Sequence, residues 1–186
     1  MNTEIQQIVP VLQSGGLIIF PTDTVWCIGC NALNEQAIGR MYAIKKRSTN
    51  AAVLLMESYV RLMKYVTLVH PKATALIDYH ARPLTIIYNE GKDLPQSLLG
   101  EKNSIGVRIT KDGFCKALIR EADMPLAVMT ANYAEVPFPP NYAAIDPNFL
   151  KEADYVVRYR QEEIEEYTPS TMLKIKKDGE LMFLRK

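Results

Sequence analysis

A short, uninterrupted apolar run at residues 17–20, Leu-Ile-Ile-Phe, most restricts how this chain can fold. Apolar runs of this length, without alternation, are typical of a strand that is buried on both faces of a sheet. The run ends at Pro21, and the polar turn Thr22-Asp23-Thr24 follows it directly. We therefore expect a buried strand that brings hydroxyl groups to the edge of a sheet, where α/β proteins commonly bind small ligands.

A helical pattern follows Asn34, a residue type that favours the N-terminal cap of a helix. Similar strand and helix patterns alternate along the chain. Strand patterns occur at residues 52–56, 84–88, 104–110 and 126–129, and helical patterns follow Ser58, His70 and Asp112. The last three strand-like segments, at 155–157, 171–175 and 181–184, have no helical pattern between them. The alternation predicts an α/β fold with a mixed sheet and flanking helices, in a single domain spanning residues 1–186.

The composition is that of a globular chain. Of the 186 residues, 48% are hydrophobic and 23% are charged, which is enough for a sizeable core. The formal net charge of +1 neither favours nor excludes nucleic acid, so any basic surface must be local. The first 16 residues lack a signal-peptide pattern, and no apolar run approaches the ~20 residues that cross a membrane. We expect a cytoplasmic protein without membrane contact.

Three pairs of polar residues share one spacing, with a single residue between the members of each pair. Each pair follows the end of an apolar segment; the pairs are Thr22/Thr24, Lys45/Arg47 and Thr130/Asn132. Residues i and i+2 point the same way only in extended backbone, so a helix must end near Lys45 if Lys45 and Arg47 bind one anion. Taken singly, each pair also fits a solvated helix end or a capped turn. Together they favour a phosphate site, because Arg and Lys are the usual phosphate-binding side chains.

The three cysteines do not indicate a disulfide framework. Cys27 and Cys30 have the spacing of a redox or zinc pair, but the sequence has no second ligand pair at metal spacing. We favour buried thiols that line a wall of the fold.

The ordered motifs of the chain resemble those of the YrdC/YciO family. The segment at residues 16–32, Gly-Leu-Ile-Ile-Phe-Pro-Thr-Asp-Thr-Val-Trp-Cys-Ile-Gly-Cys-Asn-Ala, is similar to the opening signature of that family. Lys45-Lys46-Arg47 is similar to its Lys-x-Arg motif, and residues 104–108 and 125–132 resemble two of its strand segments. The chain resembles a short form, without the C-terminal extension of longer members.

The resemblance implies a twisted sheet around a basic central cavity and threonylcarbamoyl-AMP synthase activity, a nucleotidyltransferase reaction. Such enzymes join L-threonine, bicarbonate and ATP and release pyrophosphate, with Mg²⁺ expected to neutralise the phosphates. Their product serves the downstream t6A transferase machinery, which modifies position 37 of tRNA. The family is also associated with double-stranded RNA, so RNA, including tRNA, is a possible partner.

The resemblance also implies roles for individual residues. Lys45 and Arg47 would hold the ATP phosphates and act as the catalytic cations, and four further residues would complete the ATP site: Ser104, Thr130, Asn132 and Arg185. Thr24, Arg108 and Ser170 would bind threonine, with Arg108 pairing with its carboxylate. No resident metal site is expected.

Several positions differ from the family pattern. Met56 stands where the family commonly has His, Cys27 replaces a Gly, and Tyr133-Ala134-Glu135 replaces the usual residues after Asn132. These differences leave open the alternative of a YciO-like paralogue without synthase activity. A second alternative is a module that binds double-stranded RNA through the same basic cavity.

Overall fold

The computed structural model describes residues 2–46, 52–176 and 178–186. The apolar run forms β1 (Ile18–Phe20), which pairs antiparallel with β2 (Cys27–Asn31) through the turn that holds Thr22 and Thr24. No local pattern predicts β2 as a strand, because Gly and Asn carry little strand propensity. Pairing with strands on both sides makes this segment a strand.

The described residues form one sheet of nine strands. The remaining strands are β3 (Val53–Met56), β4 (Leu84–Tyr88), β5 (Ile105–Ile109), β6 (Leu126–Thr130), β7 (Tyr155–Val156), β8 (Thr171–Ile175) and β9 (Leu181–Arg185). Their order across the sheet is β7-β1-β2-β6-β3-β5-β4-β8-β9.

The predicted mixed sheet is confirmed. The last strands were expected to be antiparallel because no helices separate them. This holds for β8 and β9, whereas β7 lies parallel to β1 and β8 lies parallel to β4. The antiparallel pairs include β2 with β6, β3 with β6, and β4 with β5. The parallel partners are far apart in sequence, and α-helices lie in the segments between them, both from β1 to β7 and from β4 to β8.

Six α-helices flank the sheet in the described part of the chain. They are α1 (Asn2–Gln13), α2 (Glu35–Ile44), α3 (Tyr59–Tyr65), α4 (Pro71–Tyr79), α5 (Gly113–Ala122) and α6 (Pro147–Leu150). Side-chain caps begin three of them as predicted: Asn34 Oδ1 accepts from Ala37 N, and Ser58 and Asp112 cap α3 and α5 in the same way. No helix in these residues is long and apolar enough to span a bilayer.

The helices pack on opposite faces of the sheet. Ile8 and Leu12 of α1 pack with Leu118 and Ile119 of α5 in one apolar cluster. Met41 of α2, Leu62 of α3 and Ala73 of α4 belong to the cluster on the other face. On the α1/α5 face, the part of the sheet near Val53 and Arg108 borders a cavity.

Candidate functional site

Arg108, on β5, is held by the turn that follows β1. Its Nη1 donates to Thr24 Oγ1 at 2.6 Å and its Nη2 donates to Thr22 Oγ1 at 3.4 Å. Its Nε lies 3.6 Å from Asp23 Oδ1, and neither of these two atoms has a hydrogen-bond partner in the described residues. Arg108 is only 4% exposed. The turn therefore holds a buried guanidinium beside a carboxylate, and N–H groups that make none of these hydrogen bonds are available to an incoming anion.

A second arginine meets a second set of hydroxyls across the sheet. Arg185 Nε donates to Ser170 O at 2.9 Å and Nη2 donates to Ser170 Oγ at 3.2 Å. Ser170 Oγ in turn lies 2.7 Å from Thr85 Oγ1. Burial lowers the pKa of Arg185, and the positive charge of Arg108 lowers this pKa further. The two guanidinium groups thus repel one another, and an anion between them would relieve the repulsion.

A cavity of about 300 Å³ lies between these two arginines. Apolar side chains of the central strands form part of its wall, and the polar groups come from several strands. Its lining includes Cys27, Val53, Arg108, Val128, Thr130, Ser170, Met172 and Arg185. The volume suits a small ligand, and its cationic and hydroxyl groups suit a carboxylate or a phosphate.

Lys45 lies beside the same cavity, directly after the end of α2. The helix ends at Ile44, and Lys46 adopts a φ of 48°, so the backbone leaves the helical path as the spacing predicted. Lys45 Nζ donates to Thr130 O at 2.8 Å, to Asn132 Oδ1 at 3.0 Å and to Asn132 O. The ammonium also lies 5.6 Å from the centre of the Phe149 ring. Lys45 is therefore fastened to the end of β6, whose last residue lines the cavity.

The described residues place neither Arg47 nor Ser104 at the cavity. Arg47 lies outside the described residues. Ser104 directly precedes β5 and is half-buried, but it is not among the residues that line the cavity. It lies four residues before Arg108, which is roughly 13 Å along an extended strand. Gly106 lies between them on the same face.

The other predicted residues form two clusters. Thr24, Arg108, Ser170 and Arg185 form one, and Lys45, Thr130 and Asn132 form the other. Cys27 and Thr130 are paired across β2 and β6, which joins the two clusters along the cavity wall. Thr22 belongs to one of the polar pairs in the sequence, but no sequence signal indicated that Asp23 would lie beside Arg108.

Residues that differ from the family pattern have distinct places. Met56 is fully buried in the apolar cluster on the opposite face and does not line the cavity. Tyr133 donates to Glu152 Oε1 at 3.0 Å. Cys27 lines the cavity, where burial raises the pKa of its thiol although the charge of Arg108 opposes this.

The cysteines are unpaired and buried, as the sequence suggested. Within residues 2–46, 52–176 and 178–186, no group of three or more His, Cys, Asp or Glu side chains is arranged to hold a metal ion.

Comparisons with known proteins identify the family of the chain. The family model Sua5_yciO_yrdC, described as "Telomere recombination", matches residues 10–186. A threonylcarbamoyl-AMP synthase of Coxiella burnetii is 31% identical over 130 residues, which are 69% of this chain and 70% of the relative. A protein of the same name from Xanthomonas campestris pv. campestris is 29% identical over 153 residues, covering 80% and 82% of the two chains.

Solved structures share the fold. E. coli YciO matches with a TM-score of 0.85 and 22% identity, covering 100% of this chain and 90% of that one. P. abyssi Sua5 complexed with L-threonine matches with a TM-score of 0.84 and 23% identity, covering 97% of this chain. This chain corresponds to 53% of the P. abyssi chain, or about half its length. The chain belongs to the Sua5/YciO/YrdC family, with the twisted mixed sheet and flanking helices of that fold.

Proposed function

We propose that this protein is a threonylcarbamoyl-AMP synthase, which converts L-threonine, bicarbonate and ATP into threonylcarbamoyl-AMP and pyrophosphate. The observation that carries the proposal is the placement of Arg108 and Arg185, with their hydroxyl partners, around one small cavity. Relatives of about 30% identity bear this enzyme name, and a structural neighbour was solved with L-threonine.

The amino-acid end of the site lies at Thr24, Arg108 and Ser170. The guanidinium of Arg108 would pair with the carboxylate of threonine. The hydroxyls of Thr24 and Ser170 would orient the amino acid, since both are buried and hold their arginines in place. Such positioning can supply a large part of the rate enhancement when two substrates must meet.

The ATP end lies at Lys45, Thr130, Asn132 and Arg185, with Arg47 and Ser104 as further ATP-binding residues. The threonine amine adds to bicarbonate with loss of water, and a carbamate forms. A carbamate oxygen then attacks the α-phosphorus, and the bond to the bridging oxygen of pyrophosphate breaks. Lys45 and Arg47 would stabilise the charge that gathers on the phosphate oxygens and leaving group.

Mg²⁺ would enter as part of the ATP substrate. Asp23 is the carboxylate beside Arg108, and its Oδ2 already accepts from Lys111 N at 2.9 Å. The donor set around the cavity is cationic and hydroxylic, which does not fit a resident divalent ion. When bound, Mg²⁺ neutralises phosphate charge, and the side chains described above hold the nucleotide.

The cellular role follows from the product. We propose that threonylcarbamoyl-AMP passes to a t6A transferase system acting on tRNA, and that the enzyme works in the cytoplasm as a single domain. Direct binding of RNA belongs to the same proposal, through the basic groups of the cavity.

The decisive experiment supplies isotope-labelled bicarbonate, ATP and Mg²⁺, with and without L-threonine. We expect pyrophosphate release that requires threonine, together with label in a threonine adduct of AMP. If ATP binds but threonine causes no release, the proposal fails and a YciO-like protein without synthase activity becomes the better description.

A further inference from the structure

We propose that Arg160 is a positioning residue, which clamps a long connecting segment against the site and thereby sets the geometry of the threonine pocket. The inference rests on the proposed function. The segment, here named the strap, comprises residues 157–170 between β7 and β8. Its last two residues, Pro169 and Ser170, line the cavity.

The strap crosses most of the sheet and needs about two thirds of its full reach to do so. In the sheet, six strands lie between β7 and β8. Seven inter-strand spacings amount to roughly 34 Å, whereas a chain of this length reaches roughly 50 Å when fully extended. Ser170 directly precedes β8, which pairs with β4, so an anchor along the strap adds a second restraint on Ser170 from the other side.

Arg160 anchors the strap at the site itself. Its Nη1 donates to Thr22 O at 3.2 Å and to Asp112 Oδ2 at 3.1 Å. The first contact is in the turn that holds Arg108, and the second is at the cap of α5. Arg160 thus joins the strap that ends at Ser170 to the turn that carries Thr24, the two opposite sides of the threonine pocket.

The same side chain also organises the strap internally. Its Nε donates to Glu163 Oε2 at 2.6 Å, and its guanidinium lies 5.0 Å from the centre of the Tyr167 ring. The side chain is only 11% exposed and its backbone φ is 69°, a left-handed conformation that costs free energy in a non-glycine residue. Without its charge, the carboxylates of Asp112 and Glu163 would repel each other, and the strap would detach.

The clamp should act on threonine rather than on ATP, because Arg160 bonds to the turn of Thr22, whereas Lys45 is fastened to Thr130 and Asn132 at the end of β6. The test compares Arg160→Gln and Arg160→Lys with Arg158→Gln, which changes an exposed arginine of the same strap. We expect Arg160→Gln to raise the KM for threonine about tenfold to a hundredfold and to leave the KM for ATP nearly unchanged. Arg160→Lys should recover part of the loss, and Arg158→Gln should behave as wild type.

A second measurement follows the strap directly. Its glutamates at 162, 163, 165 and 166 are sites for a glutamate-specific protease. Cleavage there should be faster in Arg160→Gln than in wild type or Arg158→Gln. Equal changes in both KM values, an unchanged KM for threonine, or unchanged cleavage would overturn the inference.

Two further outcomes are also decisive. If Arg160→Gln does not fold, Glu163→Gln loosens the same clamp without touching Asp112 and must give the same selective effect, or the inference fails. If wild-type protein releases no pyrophosphate with threonine, the proposed function fails. If the wild type is active but the KM for threonine is unchanged in the variants, the clamp is overturned and the proposed function stands.

Discussion

Arg108 and Arg185 approach the same cavity from different strands, and their like charges repel. Burial is the larger cause of the lowered pKa of Arg185, and the positive charge of Arg108 lowers this pKa further. Both side chains keep hydroxyl partners, which hold the guanidinium groups in place. Asp23 Oδ1 lies 3.6 Å from Arg108 Nε and offsets part of the charge of Arg108. An anion bound between the two arginines would reduce their remaining repulsion and should stabilise the folded protein.

Pyrophosphate, a product of the proposed reaction, should raise the free energy of unfolding. At a concentration of about 100 times Kd, the expected gain is about 2.7 kcal/mol. Urea titrations with and without pyrophosphate measure this gain in the free energy of unfolding. In Arg185→Gln the gain should largely disappear, whereas Lys186→Gln, which changes the adjacent exposed residue, should keep it. If pyrophosphate stabilises both variants equally, the anion does not bind beside Arg185.

Lys45 should be needed both for stability and for ATP binding. Lys45→Ala removes the donor shared by Thr130 O and Asn132 and should lower the free energy of unfolding by about 1–3 kcal/mol. Calorimetry should also show loss of ATP binding. Arg47→Ala should weaken ATP binding, and Lys46→Ala serves as the control between them. ATP binding that survives in both Lys45→Ala and Arg47→Ala contradicts the phosphate assignment.

Thr24 should matter through its hydroxyl. In Thr24→Val the Nη1 of buried Arg108 loses its acceptor, at a cost of about 1–3 kcal/mol, and threonine affinity should fall. Thr24→Ser retains the oxygen and should retain most of the stability and affinity. Equal losses in the two variants would show that the methyl group, not the hydroxyl, is what the site requires.

Burial of Cys30 should make stability depend on alkaline pH. Burial raises the pKa of this thiol from 9.0 to about 12, although the charge of Arg40 opposes the effect. Above pH 9 the unfolded chain loses the proton while the folded chain keeps it, so folding becomes less favourable as the pH rises towards 12. The slope is about 1.4 kcal/mol per pH unit. Urea unfolding between pH 8 and 10.5 should show a shallower decline in Cys30→Ala than in wild type.

RNA binding, if it uses the basic groups of the cavity, should depend strongly on salt. The affinity for an RNA duplex should fall with rising salt, and Arg185→Gln should reduce the slope of log K against log salt by about 1. Threonine-dependent pyrophosphate release should not require RNA. Duplex binding with the same slope in wild type and Arg185→Gln would separate RNA binding from this cavity.

Local sequence was sufficient to predict most elements whose first or last residues are marked by a capping residue or a helix end. Asn34, Ser58 and Asp112 were identified as helix caps, because capping involves only neighbouring residues. The end of α2 at Ile44 also followed from the spacing of Lys45 and Arg47. By contrast, β2 had no local signal and exists because β1 and β6 pair with it.

The sequence by itself determined the class of fold, the order of the elements and, through the family motifs, the residue types available to the site. Only the tertiary structure decided which of these residues meet. The contact between Arg108 and Thr24 spans 84 positions, and the contact between Lys45 and Asn132 spans 87. Arg160 is the extreme case, because the strap that crosses the sheet carries it to its partners Thr22 and Asp112. Contacts of this kind depend on strand order and register, which no local pattern of residues encodes.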